Sequence, residues 1–207
     1  CEKVGANVDN VRKGIGSDDR IGPRFLFPGI GFGGSCFPKD ILALVKTAND
    51  HGYSFETLKT IISINEKQKS KLVEKIQNYF GADLTGKTIA IWGLAFKPET
   101  DDIREASSIV TINGLLEAGA TLRVFDPAAM DNIKEIFSDR IEYATDEYDV
   151  LREADALGIV TEWKIFKKAD LLQVKKLLKE PVIFDGRNIY DNRTTREVGF
   201  YYESIGR

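Results

Sequence analysis

The chain has 207 residues, of which 43% are hydrophobic, and carries a formal net charge of −3. This composition can bury a core, and the interspersed charges give no reason to expect nucleic acid or a membrane surface as a partner. Two cysteines make no disulfide framework, so we expect a cytoplasmic protein, and no apolar run is long enough to span a bilayer.

The first predicted element is a helix over residues 1–15, which Gly5 interrupts. Because the chain opens inside a helix and without methionine, we expect it to be a fragment of a longer protein. The loop that follows carries Arg20 beside Gly22. An arginine in such a loop is either solvated or available to bind a phosphate or carboxylate group.

Residues 27–40 form a glycine-dense loop that leads into a helix, and we call this stretch the glycine–cysteine segment. Its four glycines allow positive φ angles and close approach of the backbone to a ligand. Cys36 precedes the helix, where Pro38 suits the first turn, and the unpaired N–H groups and Lys39 favour the thiolate form. Asp40 lies within one turn as a candidate proton acceptor. A lone cysteine is more often a buried apolar side chain, but these neighbours together favour a reactive thiol.

Two helices are predicted next. The first covers residues 40–49, is amphipathic and stops at His51. Since His51 is the only histidine, we predict no metal site and no histidine-based triad. The second helix covers residues 54–80, with Ser54 as its N-cap. It is either a core helix with one solvated face or a helix that pairs with its twin across a two-fold axis.

The pattern changes near residue 84, where we predict a domain boundary. From there, buried strands alternate with helices, an order typical of a doubly wound, mostly parallel sheet. Predicted strands cover residues 88–93, 122–126, a short stretch near 141, 156–160 and 182–185, and predicted helices cover residues 107–117, 131–137, 148–154 and 169–178. Ligands bind at the carboxyl ends of such strands, and the side chains that the sequence places there are Lys97, Asp126, Thr161, Glu162 and Arg187.

The turn after the first strand of this sheet, residues 93–98, is not a dinucleotide fingerprint, because it lacks the G-x-G-x-x-G pattern. We therefore do not expect this sheet to bind NAD by itself. A nucleotide could still bind, with Phe96 as a stacking surface and Lys97 and Arg187 as phosphate or ribose contacts. The alternative is that both cations are solvated.

Three motifs in this chain resemble those of the UDP-glucose 6-dehydrogenases, within the UDP-glucose/GDP-mannose dehydrogenase family. They are residues 20–22 with 31–40, residues 93–106, and residues 184–187. The resemblance extends from Cys1 to near Arg207 but covers only the second half of the usual family chain. The N-terminal NAD-binding domain, with the catalytic lysine, asparagine and glutamate of the family, is expected to be absent.

The resemblance implies an α/β protein with two parts. Residues 1–83 would be a helical central domain that forms a homodimer through the helix 54–80, and residues 84–207 a Rossmann-like domain that binds the UDP-sugar. The implied reaction is a four-electron oxidation of the sugar C6 alcohol to a carboxylate, with NAD as cofactor. Cys36 would be the nucleophile that forms a thiohemiacetal and then a thioester, and Asp40 would assist proton transfer and the hydrolytic water.

The resemblance also assigns binding residues. Lys39 and Arg104 would lie toward NAD, and Arg20 would reach the substrate bound to the other subunit. The substrate-binding residues implied in this way are Arg20, Phe25, Phe27, Gly29, Gly31, Phe32, Gly33, Phe96, Lys97 and Arg187.

Two alternatives stay open. The substrate could be another nucleotide sugar, as in GDP-mannose dehydrogenase, although residues 34–37 resemble the UDP-glucose branch more than the N-acetylmannosamine branch, which typically has a histidine before the cysteine. The chain could also be a non-catalytic, dimerising module that binds nucleotide sugars. Without the missing half, we expect the isolated chain to be inactive.

Overall fold

A six-stranded parallel sheet forms the centre of the protein, as seen in a computed structural model that describes residues 1–207. Three short 3-10 turns, Glu2–Val4, Ser138–Arg140 and Asp149–Leu151, accompany the longer elements. In chain order, the helices and strands are α1 (Val8–Gly16), α2 (Phe37–Asp50), α3 (Glu56–Lys69), α4 (Lys71–Phe80), β1 (Thr88–Trp92), α5 (Ser107–Glu117), β2 (Thr121–Phe125), α6 (Met130–Phe137), β3 (Glu142–Tyr143), β4 (Ala156–Ile159), α7 (Lys164–Lys167), α8 (Leu171–Leu177), β5 (Val182–Asp185), α9 (Asn192–Glu197) and β6 (Tyr201–Ser204).

The strand order is β3-β2-β1-β4-β5-β6, and every neighbouring pair is parallel. Ile91 of β1 lies opposite Val124 of β2 on one side and Gly158 of β4 on the other. The chain reverses its winding direction between β1 and β4, so the carboxyl ends of these two strands flank the crevice where such sheets bind ligands. The predicted α/β fold with a doubly wound parallel sheet is confirmed.

Each face of the sheet has its own hydrophobic core. Ile89 and Ile91 face one core, while Ala90 and Trp92 face the other, as the alternation of a strand requires. The first core takes in the buried side chains of α4, α5 and α6. In the second core, the Trp92 ring stacks on that of Phe166, with centroids 4.8 Å apart. Both faces are therefore covered, as is usual for a parallel sheet.

The helix predicted over residues 54–80 is two helices, so that prediction is wrong in its continuity. α3 ends before Ser70, and α4 starts after it. The break follows from packing, because α4 turns its apolar side onto the sheet and buries Leu72 and Ile76 completely. Ser54 is not the N-cap either, since α3 starts at Glu56 and the Ser54 hydroxyl donates to the Glu56 carboxylate.

The helix predicted over residues 1–15 is also divided. Gly5 adopts a left-handed conformation with φ +67°, which ends a 3-10 turn. α1 then starts at Val8, and the Asn7 side chain caps it by accepting a hydrogen bond from the Asp9 N–H.

Most predicted elements of the sheet are confirmed with small shifts, and the helix 107–117 and the strand 182–185 have the predicted bounds. The helix predicted over 148–154 is wrong, because only the 3-10 turn Asp149–Leu151 forms there. Three elements were not predicted: α7, α9 and β6. β6 is four residues long and was missed because its signal is weak, although it adds a complete edge strand next to β5.

The start of the chain lies against α4 and the end of β6. Lys75 of α4 is nearly buried and forms ion pairs with Glu2 and Glu203, each at 2.9 Å. Arg207 pairs with Asp9 of α1 at 2.9 Å. These pairs attach the start of the chain to the last strand of the sheet. None of the helices combines the length and apolar character needed to cross a membrane.

Candidate active site

The turn after β1 carries two of the predicted substrate residues and is fixed by a buried carboxylate. Asp126, at the end of β2, accepts hydrogen bonds from the N–H groups of Leu94 (2.6 Å) and Ala95 (3.2 Å). Gly93 has φ +93°, and a Cβ there would lie 2.4 Å from the Thr161 side chain, so only glycine fits. Phe96 and Lys97, which follow directly, are therefore presented at the switch point of the sheet.

The turn after β5 is built in the same way around Asp185. This fully buried carboxylate accepts from the Tyr202 hydroxyl (2.6 Å) and from the N–H groups of Arg187 (2.9 Å) and Ile189 (2.8 Å). Burial raises the pKa of Asp185, although these hydrogen bonds oppose the shift. The network fixes the backbone from which the Arg187 side chain extends.

Arg187 and Glu162 form a bidentate ion pair at this edge. The guanidinium donates through Nε at 2.6 Å and through Nη2 at 2.8 Å, one bond to each carboxylate oxygen. Partial burial alone would raise the pKa of Glu162, but the hydrogen bonds and charge of Arg187 outweigh this and lower it. Glu162 therefore stays ionised and holds Arg187 in one orientation, with Nη1 outside the pair.

The glycine–cysteine segment docks against both of these turns. Ile30 is completely buried, its N–H donates to the Gly186 carbonyl at 3.1 Å, and its carbonyl accepts from the Ser107 hydroxyl at 2.7 Å. Further along, the Gly34 N–H donates to the Arg104 carbonyl at 2.8 Å. Hydrogen bonds at both ends of its glycine run thus attach the segment to the turn after β5, to α5 and to the loop before α5.

Two glycines of the segment are required by contacts within the protein. A Cβ at Gly33 would lie 2.2 Å from the Glu105 carbonyl oxygen. Gly34 has φ +86°, and a Cβ there would lie 2.7 Å from the Phe96 ring. At these two positions the glycines allow close contact with the loop before α5 and the turn after β1, whereas the predicted approach to a ligand stays a prediction.

A cavity of about 700 Å³ lies beside this segment, between α3 and the turns after β1, β4 and β5. Nine of the ten predicted substrate residues line it, namely Phe25, Phe27, Gly29, Gly31, Phe32, Gly33, Phe96, Lys97 and Arg187. Four further lining residues were not among the predicted substrate residues, namely Ile64, Asn65, Gln68 and Glu162. The sequence places Glu162 at a strand end, whereas nothing in the sequence points to the three residues of α3.

Arg20, the tenth predicted residue, lies outside this cavity. Its guanidinium is highly exposed and makes a bidentate pair with Asp18, with Nε at 3.0 Å and Nη2 at 2.6 Å from the carboxylate. The hydrogen bonds from Arg20 lower the pKa of Asp18. Within this chain, Arg20 therefore contacts its own loop and none of the other predicted site residues.

A second cleft, of about 690 Å³, lies at the other end of the glycine run and contains the thiol. Cys36 is the N-cap residue of α2 and is exposed, which confirms its predicted place before a helix. Lys39 and Arg104 line the same cleft. The cleft therefore brings together the predicted nucleophile and both predicted cofactor residues.

Two carboxylates pair with these cations. Arg104 is held by Asp102 through Nε (3.0 Å) and Nη2 (2.7 Å), in the same Asp-x-Arg geometry as Asp18 with Arg20. These bonds, together with the negative charge of Asp102, raise the pKa of Arg104. Asp40 is exposed and pairs with Lys39 at 3.2 Å. No group of three or more histidine, cysteine or carboxylate side chains is arranged as a metal site.

Fold and site together define an α/β protein in which an exposed thiol at a helix N-terminus adjoins an aromatic, cationic cavity at a sheet switch point. The chain belongs to the UDP-glucose/GDP-mannose dehydrogenase family. Residues 1–67 match the central domain of that family, and residues 90–192 match its UDP-binding domain.

Individual relatives agree with this assignment. The chain is 44% identical over 207 residues to the UDP-glucose 6-dehydrogenase TuaD of Bacillus subtilis and 45% identical over 207 residues to the UDP-glucose 6-dehydrogenase of Rhizobium meliloti. All of this chain is matched in both cases, against 45% and 47% of the relatives, so it spans about half their length. Among solved structures, a UDP-glucose dehydrogenase from Pyrobaculum islandicum matches with a TM-score of 0.85 and 31% identity, covering 99% of this chain and 44% of the other.

Proposed function

We propose that this chain is the second half of an NAD-dependent UDP-glucose 6-dehydrogenase, which oxidises the sugar C6 alcohol to a carboxylate. One observation carries the proposal. The glycine–cysteine segment has a nucleotide-sized cavity along one part and the Cys36 cleft along the next. A substrate held in the cavity can extend along the segment toward the sulfur. The relatives from Bacillus subtilis and Rhizobium meliloti are UDP-glucose 6-dehydrogenases.

The cavity suits a UDP-sugar in its chemistry. Phe96 and Phe32 offer aromatic surfaces for a base or sugar, and Lys97 and Arg187 offer positive charge for a diphosphate. Lys97 Nζ lies 5.2 Å from the centroid of the Phe96 ring, so charge and stacking surface are adjacent. We assign the nine lining residues predicted above, together with Arg20 from the second subunit, to substrate binding.

The residues of the thiol cleft fit a cofactor that carries phosphates. Lys39 and Arg104 are both largely exposed and line the cleft with Cys36. They can therefore bind a diphosphate without any change in the buried core. We therefore assign them to NAD. When bound, NAD accepts the hydride in each of the two oxidations. The part of the protein that binds most of NAD lies in the half that this chain does not include.

Cys36 performs the covalent chemistry. The thiolate attacks the C6 aldehyde left by the first oxidation, which forms a C–S bond, and the carbonyl oxygen takes up a proton to give a thiohemiacetal. Loss of a hydride from carbon and of the proton from oxygen leaves a thioester. Water then adds, the C–S bond breaks, and the carboxylate leaves while the thiolate is restored. Asp40, one helical turn after Cys36, is the proposed acceptor for the proton of this water.

We further propose a cytoplasmic homodimer, with residues 1–83 as the dimerising domain and residues 84–207 as the UDP-sugar domain. α4 is packed on the sheet, so the part of the predicted helix left to pair is α3. Ile61 and Ile64 of α3 are exposed and apolar. Sedimentation velocity of the Ile61→Glu variant tests this, and a variant that stays dimeric would contradict it.

The test of the reaction is NADH formation from UDP-glucose by the full-length protein. Cys36→Ser should lower turnover by at least about 1,000-fold, as loss of a nucleophile does in other enzymes. Cys1→Ser is the matched control and should leave turnover unchanged, because Cys1 contacts neither cleft. Near-normal turnover of Cys36→Ser would rule out Cys36 as the nucleophile.

A second experiment identifies the substrate. Calorimetric titration with UDP-glucose, GDP-mannose and UDP shows which of these ligands the protein binds most tightly. Tight binding of UDP-glucose without turnover would favour a binding module.

A further inference from the structure

Asn65 on α3 is a buried amide whose hydrogen bonds go to the glycine–cysteine segment. It is 6% exposed. Its Oδ1 accepts from the Phe32 N–H at 2.8 Å, and its Nδ2 donates to the Phe32 carbonyl at 3.0 Å. One side chain thus satisfies both backbone groups of one residue that lies 33 positions earlier in the chain.

The segment is shaped to receive this side chain. Gly31 has φ +84°, and a Cβ there would lie 2.9 Å from Asn65 Oδ1 and 3.1 Å from the Cγ of Lys69. Lys69, one turn after Asn65, is buried and pairs with Glu105 at 2.9 Å and Glu66 at 3.0 Å. Burial would lower the pKa of Lys69, but the two carboxylates outweigh this and raise it. α3 therefore holds both the segment and the loop that carries Arg104.

Phe32 is connected to Cys36 in two ways, through the backbone and through a contact between side chains. Along the backbone, only Gly33, Gly34 and Ser35 separate Phe32 from Cys36, and both glycines are packed closely, against Glu105 and Phe96. Through side chains, the Phe32 ring contacts the ring of Phe37 edge-on, with centroids 4.8 Å apart. Phe37 is the first residue of α2, directly after Cys36.

We propose that Asn65 is a positioning residue. Through its two hydrogen bonds to the backbone of Phe32, it sets the position of Cys36 relative to the substrate cavity. The proposal rests on the function proposed above, since it presumes that Cys36 reacts with the bound substrate. An amide suits the task because it offers one acceptor and one donor to the two groups of Phe32. An alanine would remove the side-chain partner of both groups, and an ionised carboxylate, which has no donor, would pair only with the N–H.

The first test is hydrogen exchange at residues 30–36. In the wild-type protein, the Phe32 and Gly34 amides should exchange far more slowly than those of the exposed loop at residues 17–22. In Asn65→Ala, exchange over 30–36 should be at least about ten-fold faster, while peptides from β1 and β4 keep their rates. Asn10→Ala, an exposed asparagine on α1, is the matched control and should change neither.

The second test is steady-state kinetics of the full-length protein. Displacement of a reacting group by about 1 Å can cost two orders of magnitude, so Asn65→Ala should lower kcat at least ten-fold. Because Asn65 and Phe32 also line the cavity, KM for UDP-glucose should rise as well, but by a smaller factor than kcat falls. Asn65→Asp should be partly restored at acidic pH, because a protonated carboxyl group again provides one donor and one acceptor. Its kcat relative to wild type should therefore rise as pH falls, which a purely structural role would not produce.

Three results would overturn the positioning role: fast exchange of the Phe32 amide in the wild-type protein, unchanged exchange in the folded variants, or a rise in KM with kcat unaltered. The first needs no variant, so the proposal stays testable if both substitutions prevent folding. Failure of the proposed function looks different. It would appear as normal turnover of Cys36→Ser, whatever the exchange rates at Phe32.

Discussion

The two parts of the chain on either side of Ser70 differ sharply in how they use hydrophobic residues. Of 58 buried residues, only five precede Ser70, namely Ile30, Gly34, Ile41, Asn65 and Lys69. Twelve of the 17 large hydrophobic side chains that remain exposed lie in that same part. The sheet part has two cores of its own, whereas the helical part has almost none.

This difference indicates what each part does. The sheet part supplies a rigid platform whose turns are fixed by Asp126 and Asp185, and the glycine–cysteine segment is positioned because it docks on that platform. The helical part makes contacts across the boundary, and it leaves twelve large apolar side chains exposed, as parts that form protein interfaces often do. The candidate site lies where the two parts meet, so it depends on both.

The largest expected effect is on the free energy of unfolding, and it should distinguish the buried apolar residues of the sheet part from the exposed ones of the helical part. Phe137 is fully buried in the sheet core, so Phe137→Ala should lower the free energy of unfolding by about 3–5 kcal/mol. Leu44 on α2 is 49% exposed, and Leu44→Ala should stay within about 0.5 kcal/mol. Urea unfolding measures both. A large cost at Leu44 would break the comparison, because it would mean that this face is packed in solution.

A smaller effect, of opposite sign at two positions of the helical part, is expected from one substitution made twice: Gly33 packs on the sheet part, and Gly14 does not. At Gly33, an added Cβ would lie 2.2 Å from the Glu105 carbonyl, so Gly33→Ala should destabilise by about 1–3 kcal/mol. Gly14 lies within α1 with nothing near an added Cβ, so Gly14→Ala should stabilise by about 0.5–1 kcal/mol. Thermal unfolding of both variants checks this, and equal signs would contradict the docking of the segment on the sheet.

The smallest effect concerns the ion pairs at the boundary. Burial opposes ionisation of Glu2, but the Gly206 N–H and Lys75 outweigh it and lower the pKa of Glu2. Its stabilising contribution is therefore complete above the ordinary value of 4.5 and is lost as pH falls through the lower folded value. Urea midpoints should separate wild type from Glu2→Gln at pH 7 and converge in strong acid.

The matched control for this prediction is Glu180→Gln. Glu180 is exposed and lies in the connection between α8 and β5. It should leave the difference in midpoint between neutral and acidic pH as it is in the wild-type protein. If Glu2→Gln behaves in the same way, the pair between Glu2 and Lys75 adds nothing measurable to the attachment of the helical part.

Local patterns explain what the sequence could predict. The helix 107–117 and the strand 182–185 have apolar spacing that settles their type, and the glycine run before Cys36 identifies a loop at a helix start. Arg20 pairs with Asp18, two residues away, and lies outside the cavity of its own chain, so its role at the substrate of the other subunit stays a prediction. The sequence pattern shows which charges are near, but not which of them pair.

Long-range packing explains what the sequence could not predict. Ser70 has no glycine or proline beside it, so the division between α3 and α4 follows only from the attraction of α4 to the sheet. Asn65 and Gln68 sit in a polar stretch that looked like a solvated helix face. Their partners, Phe32 and Gly29, are more than 30 residues away, and nothing local indicates them.

The attachment of the first residues to the last strand has a consequence for the order in which the chain can fold. The Glu2 carboxylate accepts from the Gly206 N–H at 2.9 Å, across 204 positions of sequence, and the Val8 N–H donates to the Gly206 carbonyl at 2.8 Å. Contacts this distant close slowly, after the nearer pairing of β1 with β2. During synthesis, Val8 has no partner until the ribosome has released Gly206, so α1 is made long before it can reach its place.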